Sequence, residues 1–135
     1  MSRSGSTGSR VYPVGGLNRW QVEALQKLAR FSDFPTNWDS YNSPPISDRV
    51  LDVASEIISK VSIDKVPTPR VSPIKGGGIQ LVWERGTREL GLEIRPDIGF
   101  ELLLSDEDEI VLEAPMQSLS APDVDDLLLF WLHSR

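Results

Sequence analysis

One stretch constrains the fold more than any other: Ile79–Ile94, which reads IQLVWERGTRELGLEI. Ile79, Leu81 and Trp83 alternate with Gln80, Val82 and Glu84. Past Arg85-Gly86-Thr87 the alternation resumes, with Leu90, Leu92 and Ile94 on one side and Glu89, Gly91 and Glu93 on the other. A period of two belongs to a half-buried strand, and two such runs across a glycine-containing turn predict a β-hairpin. The rest of the chain is expected to pack on its apolar face. Downstream, Arg95-Pro96-Asp97-Ile98-Gly99 is a turn sequence. Phe100, Leu102 and Leu104 predict a third strand, Ser105 to Asp108 a charged turn, and Glu109 to Leu112 a fourth strand. Upstream, Arg70-Val71-Ser72 lies among Pro67, Pro69 and Pro73 and has the character of a short edge strand, which tolerates flanking prolines. Gly76-Gly77-Gly78 is expected to be a flexible turn. It lacks the following helix and the GK[ST] sequence that a phosphate cradle needs.

Three other segments carry helical periodicity. Leu17, Trp20, Ala24, Leu28 and Phe31 recur at three- and four-residue steps, with Asn18 as cap and Gln21 at the reciprocal capping-box position. Ser47 to Val61 opens on a good cap, and Asp48 and Asp52 suit its positive end. Its stripe is Val50, Leu51, Ala54, Ile57, Ile58 and Val61. Ser120 to His133 opens with Ser120 and Asp123 in a capping box, and Pro122 is tolerated in the first turn. Val124, Leu127, Leu128 and Trp131 face inward, but Leu129, Phe130 and Leu132 widen the apolar surface. A helix apolar nearly all round is expected to be enclosed; the alternative is that part of it meets another chain.

These readings give an α+β fold: two N-terminal helices, a four-stranded antiparallel meander, and a C-terminal helix packed on one sheet face. Residues 1–16, rich in Ser, Gly and Arg, are expected to form a disordered or loosely held arm, with Val11, Tyr12 and Val14 as the residues that could dock. Residues 17–135 form one domain, long enough to bury a core without staples.

The chemistry open to the chain is narrow. It has no cysteine, which removes disulfides, thiolate catalysis and Cys-ligated zinc. His133 is the one histidine and suits a helix C-terminus, so no Ser-His-Asp or His-rich constellation can be built. Asp106, Glu107, Asp108 and Glu109 lack the alternating ligands and central glycine of an EF-hand loop. No metal and no cofactor is expected. A carboxylate site would have to draw on Asp39 with Glu84, Glu93 or Glu101, yet outward strand positions carry glutamate simply to stay wet, so no enzyme is expected. Net charge is −6, so free nucleic acid is a poor partner. No apolar run is long enough to span a bilayer and no signal-like leader is read, so a cytoplasmic protein is expected.

The acid is concentrated. From Glu101 to Asp126 there are many Asp and Glu residues and no Lys or Arg. Such a surface steers toward a basic partner protein. The residues expected to meet it are Asp106, Glu107 and Asp108 in the charged turn, and Asp125, Asp126 and Phe130 on the closing helix, which could also form a homodimer contact. Phe34 to Pro45, FPTNWDSYNSPP, adds Trp38, Asp39 and Tyr41. Its Asn, Asp and Ser are turn formers, Pro44-Pro45 ends any helix, and Trp38 and Tyr41 are amphipathic anchors. An Ω-like loop held by Asp39 is expected, with both rings sealing the core edge or, alternatively, serving recognition. A small-ligand sensor with Trp38, Tyr41 and Trp83 around a pocket is the second functional reading.

Asn37-Trp38-Asp39-Ser40-Tyr41 with Pro44-Pro45, then Pro69-Arg70-Val71-Ser72-Pro73, then Gly77-Gly78-Ile79-Gln80-Leu81-Val82-Trp83-Glu84 and Glu89-Leu90-Gly91-Leu92-Glu93-Ile94, resemble a family of small uncharacterised bacterial proteins. The resemblance runs from about Leu28 to Phe100. Such proteins often read NWDSYG, where this chain has Asn42, a residue that tolerates the left-handed conformation nearly as glycine does. The resemblance brings no catalytic residues. It implies a small bacterial accessory protein of mobile or defence-related gene pairs; with the acidic face, the expected role is that of an antitoxin-like or inhibitory subunit holding a protein partner, such as the product of an adjacent gene.

Overall fold

The predicted hairpin forms as its alternation requires. Strands β2 (Gly78–Arg85) and β3 (Arg88–Arg95) pair antiparallel, with Ile79 opposite Ile94, Leu81 opposite Leu92 and Trp83 opposite Leu90. The computed structural model describes residues 11–61, 67–97 and 99–133. Ile98 of the expected turn, Ser62 to Val66 of the connection and residues 1–10 of the expected arm lie outside the described residues. Within the rest of that arm, Tyr12 packs against the core and Val11 does not.

The hairpin sits inside a five-stranded antiparallel meander, order β1-β2-β3-β4-β5, not the expected four-stranded one. The extra strand is β1 (Arg70–Ile74), an edge where Val71 lies opposite Leu81 and Pro73 opposite Ile79. An edge tolerates the missing proline N–H because only one side of the strand has to bond. β4 (Gly99–Asp106) and β5 (Glu109–Met116) complete the sheet. Apolar rows therefore run across one face: Val71, Leu81, Leu92 and Leu102 in one, Trp83, Leu90 and Leu104 in the next. All of these are buried. The opposite face carries Gln80, Glu84, Glu89, Glu93 and Glu101.

Helices cover the apolar face. α1 (Arg19–Phe31) and α2 (Asp48–Lys60) begin on the predicted caps, Asn18 and Ser47. Gln21 completes the Asn18 capping box by accepting from its N–H at 2.9 Å. The same side chain donates to Ile58 O at 2.9 Å, at the C-terminal end of α2. One buried amide thus closes the start of one helix and the end of another, where carbonyls otherwise lack partners.

The closing helix departs from expectation. α3 (Ala121–Leu128) starts on Ser120 as predicted, but Leu129–His133 continues as a π-helical turn. Trp131 and Leu132 are buried, whereas Leu129 and Phe130 are exposed, so the helix is not enclosed all round. Arg85 donates to Leu132 O at 2.6 Å, and Arg88 to Trp131 O at 3.1 Å. Trp131 Nε1 donates to Glu89 O at 2.9 Å, with the Arg88 guanidinium 4.2 Å from the ring centroid. Cations and an indole N–H thus fix the carbonyl end of the helix on the β2–β3 turn.

Candidate functional site

A meander alternates its turns. The β1–β2 and β3–β4 turns share one end of the sheet, and the β2–β3 and β4–β5 turns share the other, about 24 Å away along an eight-residue strand. The residues singled out in the sequence divide between these ends and do not form one patch.

Trp38, Asp39 and Tyr41 lie at the first end. Asp39 accepts from Tyr41 N at 3.0 Å, from Ser43 N at 3.3 Å and from Ser43 Oγ at 2.6 Å. Desolvation opposes ionisation, but the Ser43 hydroxyl and the Tyr41 and Ser43 N–H groups hold the Asp39 carboxyl below its ordinary range. Ser43 Oγ in turn accepts from Gly76 N at 2.9 Å, tying the loop to the β1–β2 turn. Ser43, buried, is the residue that sequence reading missed here. Asn37, Ser40 and Asn42 take positive φ, and Asn42 adopts the left-handed conformation anticipated for it. Trp38 packs on Phe34 with centroids 5.2 Å apart and donates to Pro44 O at 2.8 Å.

Tyr41 does not seal the core edge: it is 72% exposed, with Lys75 Nζ 4.9 Å from its ring centroid. Aromatic faces attract ammonium groups, which gives the exposed ring a place to rest. The expected glycine turn forms, with Gly76 in open space and Gly77 close-packed. Pro44 and Pro45 lie against Gly77, where a Cβ would meet Pro45 O at 3.0 Å. Beside it opens a cleft of about 640 Å³ lined by Ile74, Lys75, Gly76, Gly78, Glu93, Arg95, Pro96 and Asp97. Trp83 is enclosed in the core toward the other end of β2, so the pocket expected of Trp38, Tyr41 and Trp83 does not form.

Asp106, Glu107, Asp108 and Phe130 lie at the second end. Thr87 Oγ1 donates to Asp106 at 2.6 Å, and Arg88 Nε to the same carboxylate at 3.3 Å. Glu107 and Asp108 both take positive φ, 53° and 66°, which makes a type I′ hairpin turn from residues that disfavour it. Next to it, β5 leaves Ile110 61%, Val111 57% and Leu112 43% exposed, and Phe130 is 61% exposed. Those three β5 residues carried no functional weight in the sequence, because in alternation a paired strand and an uncovered one look alike. Asp125, half-buried, and Asp126, exposed, lie on α3 before it reaches this end.

The uncovered sheet face brings carboxylates together, though not Asp39 with any of them. Glu84 stands directly opposite Glu89, and Glu93 opposite Glu101. Glu89, read in the sequence only as an outward strand residue, is held above the ordinary glutamate range by its hydrogen bond with Glu84 and by partial burial. Glu84 is held below that range by the same bond and by Arg70, 3.2 Å away. Glu93 is tied to Arg95 Nε at 3.0 Å, and that carboxylate raises the guanidinium.

Among the described residues no group of three or more His, Asp or Glu could hold a metal ion, and no helix is long and apolar enough to cross a membrane. Fold and surface together define a class: an α+β protein whose helices cover one face of a five-stranded meander, with acid and exposed apolar side chains gathered at one end. No family model, no curated protein and no solved structure matches the chain.

Proposed function

We propose that this chain is a non-catalytic bacterial accessory protein, working in the cytoplasm, that holds a basic protein partner at the acidic end of its sheet. The observation that carries this reading is a coincidence in space. Ile110, Val111, Leu112 and Phe130 are exposed at the same end as the Asp106–Asp108 turn, within a stretch that has no Lys or Arg between Arg95 and Arg135. Large exposed apolar groups rimmed by polar residues mark interaction surfaces; Arg88 of the neighbouring β2–β3 turn is taken up by Asp106, and the exposed Glu107, Asp108 and Glu109 beside the apolar groups favour a basic partner. The turn adds support: two acidic residues are kept in a backbone conformation that glycine or asparagine would adopt at lower cost. The NWDSY resemblance is consistent with an antitoxin-like or inhibitory role beside an adjacent gene's product.

Light scattering on a sizing column, with the chain alone and co-expressed with the adjacent gene's product, tests the reading. A complex heavier than the 15.0 kDa chain that dissociates as salt rises is expected. A lone monomer that ignores that product would overturn it.

A second reading, a small-ligand sensor, has one observation behind it: Lys75 both lies against exposed Tyr41 and lines the cleft at the loop end. Trp38 packs in the same loop, so its emission should respond to a bound ligand. Unchanged emission across a broad metabolite panel removes this reading.

A further inference from the structure

We propose that β5 is a docking edge that captures an extended, basic segment of the partner as an added strand of the sheet. The proposal rests on the partner-binding reading above and specifies its mode. Among the described residues β5 has a strand on one side only, its partner being β4. An edge of eight residues presents outward N–H and C=O groups that another strand can take up.

The two edges of the sheet are guarded to different degrees: β5 has one bulge and a proline near its end, but runs for eight residues. β1 is five residues long, contains Pro73 and follows Pro67 and Pro69, which are devices that discourage pairing. β5 carries Glu109-Ile110-Val111-Leu112-Glu113 before its only proline, Pro115. Ile110 lies opposite Ser105 on the uncovered face, and Leu112 lies opposite Leu104 on the helix-covered face. The register shift between Leu104 and Ser105 leaves Val111 as the extra residue between them. An incoming strand therefore finds an apolar side chain on each side of the sheet, and Glu109 and Glu113 at the two ends of the segment.

Charge selects the occupant. Lys or Arg placed across from Glu109 and Glu113 forms favourable cross-strand pairs, and acidic residues there are repelled. A second copy of this chain is a poor occupant, because it brings the same glutamates and a net charge of −6. The chemistry that fits is an extended segment alternating apolar and basic side chains.

The test uses the full chain and a fluorescein-labelled octapeptide of alternating Val and Lys, with a Val/Glu peptide as counterpart. Anisotropy should show the Val/Lys peptide binding at least about tenfold more tightly, with affinity falling as salt rises. Amide resonances of residues 109–113 should be the ones that shift. Ile110→Lys with Val111→Lys should weaken binding by about tenfold or more, since lysine is the natural guard of an edge. Ile110→Thr with Val111→Thr should keep affinity within about threefold, because threonine suits a strand and leaves the backbone free. Circular dichroism confirms that each variant folds, and the resonance map on the unsubstituted chain decides the matter if one does not.

Equal binding of both peptides, shifts confined to the closing helix or the uncovered sheet face, or no binding at millimolar peptide would overturn strand capture. So would a dimer of the chain alone that the lysine pair dissociates, since the occupant is then a second copy. If the partner complex forms and survives the lysine pair, strand capture fails and the partner reading stands. If no partner complex forms, the partner reading fails whatever the peptide does.

Discussion

Glu84 and Glu89 face each other across the hairpin, and the hydrogen bond between them raises Glu89 while it lowers Glu84. The sign of the consequence follows from linkage. Glu89 is raised in the folded chain, so its contribution is present below the ordinary glutamate range and is lost as pH climbs through its raised value. Glu84 is lowered, so its contribution is lost as pH falls through its own lowered value. Glu89→Gln should therefore raise Tm at neutral pH and flatten the decline above the ordinary glutamate range. Thermal melts across the acidic-to-neutral range check this, and parallel profiles for the two proteins would show that the two carboxyls are not coupled. The β4–β5 turn makes a second residue-scale case. Replacing Glu107 and Asp108 by Asn and Gly relieves two positive-φ residues and should stabilise the fold by about 1–2 kcal/mol. On the proposed function, the same pair of substitutions weakens the hold on a basic partner. A chemical denaturation midpoint reads the first effect and a binding titration the second.

Among the elements, the helix junction at Gln21 and the closing turn at Trp131 carry more than their lengths suggest. Gln21→Ala leaves the Ile58 carbonyl and the Asn18 N–H without this partner inside the fold. The expected loss is about 2–3 kcal/mol, read from urea unfolding. Gln21→Glu keeps the cap acceptor but turns a second acceptor oxygen on the Ile58, Ser59 and Val61 carbonyls, so at neutral pH it should lose at least as much as Ala. At the other end, Arg88 holds Trp131 O, Asp106 and the Trp131 ring together. Arg88→Met should cost about 2 kcal/mol and release the last turn. Red-shifted tryptophan emission before global unfolding would report that release; emission unchanged up to the main transition would show that burial of Trp131 and Leu132 suffices to hold it.

Across the whole molecule, protection should follow sheet order. β2, β3 and β4 have neighbours on both sides and lie under the helices, so their amides should exchange only by global opening. β5 should show alternation, slow where it bonds β4 and fast on its outer edge. Uniformly slow exchange along β5 would mean that the edge is already covered.

The sequence by itself determined what depends on nearest neighbours along the chain. Alternation placed Ile79 to Ile94 in a hairpin, the caps Asn18, Ser47 and Ser120 fixed three helix starts, and the short polar side chains of Asn37, Asp39 and Asn42 specified an ordered loop. Tertiary structure alone decided what depends on the other side of a residue. It extended the short edge strand read at Arg70-Val71-Ser72 to Arg70–Ile74 and made it a fifth member of the sheet, put Glu89 against Glu84, joined Ser43 to Gly76, and turned Phe130 outward while drawing Trp131 in. Local propensity is set by backbone sterics within a few residues, whereas exposure and pairing are set by elements distant in the chain. For that reason the β5 edge, the feature most open to a partner, had no signature of its own until the strands were in place.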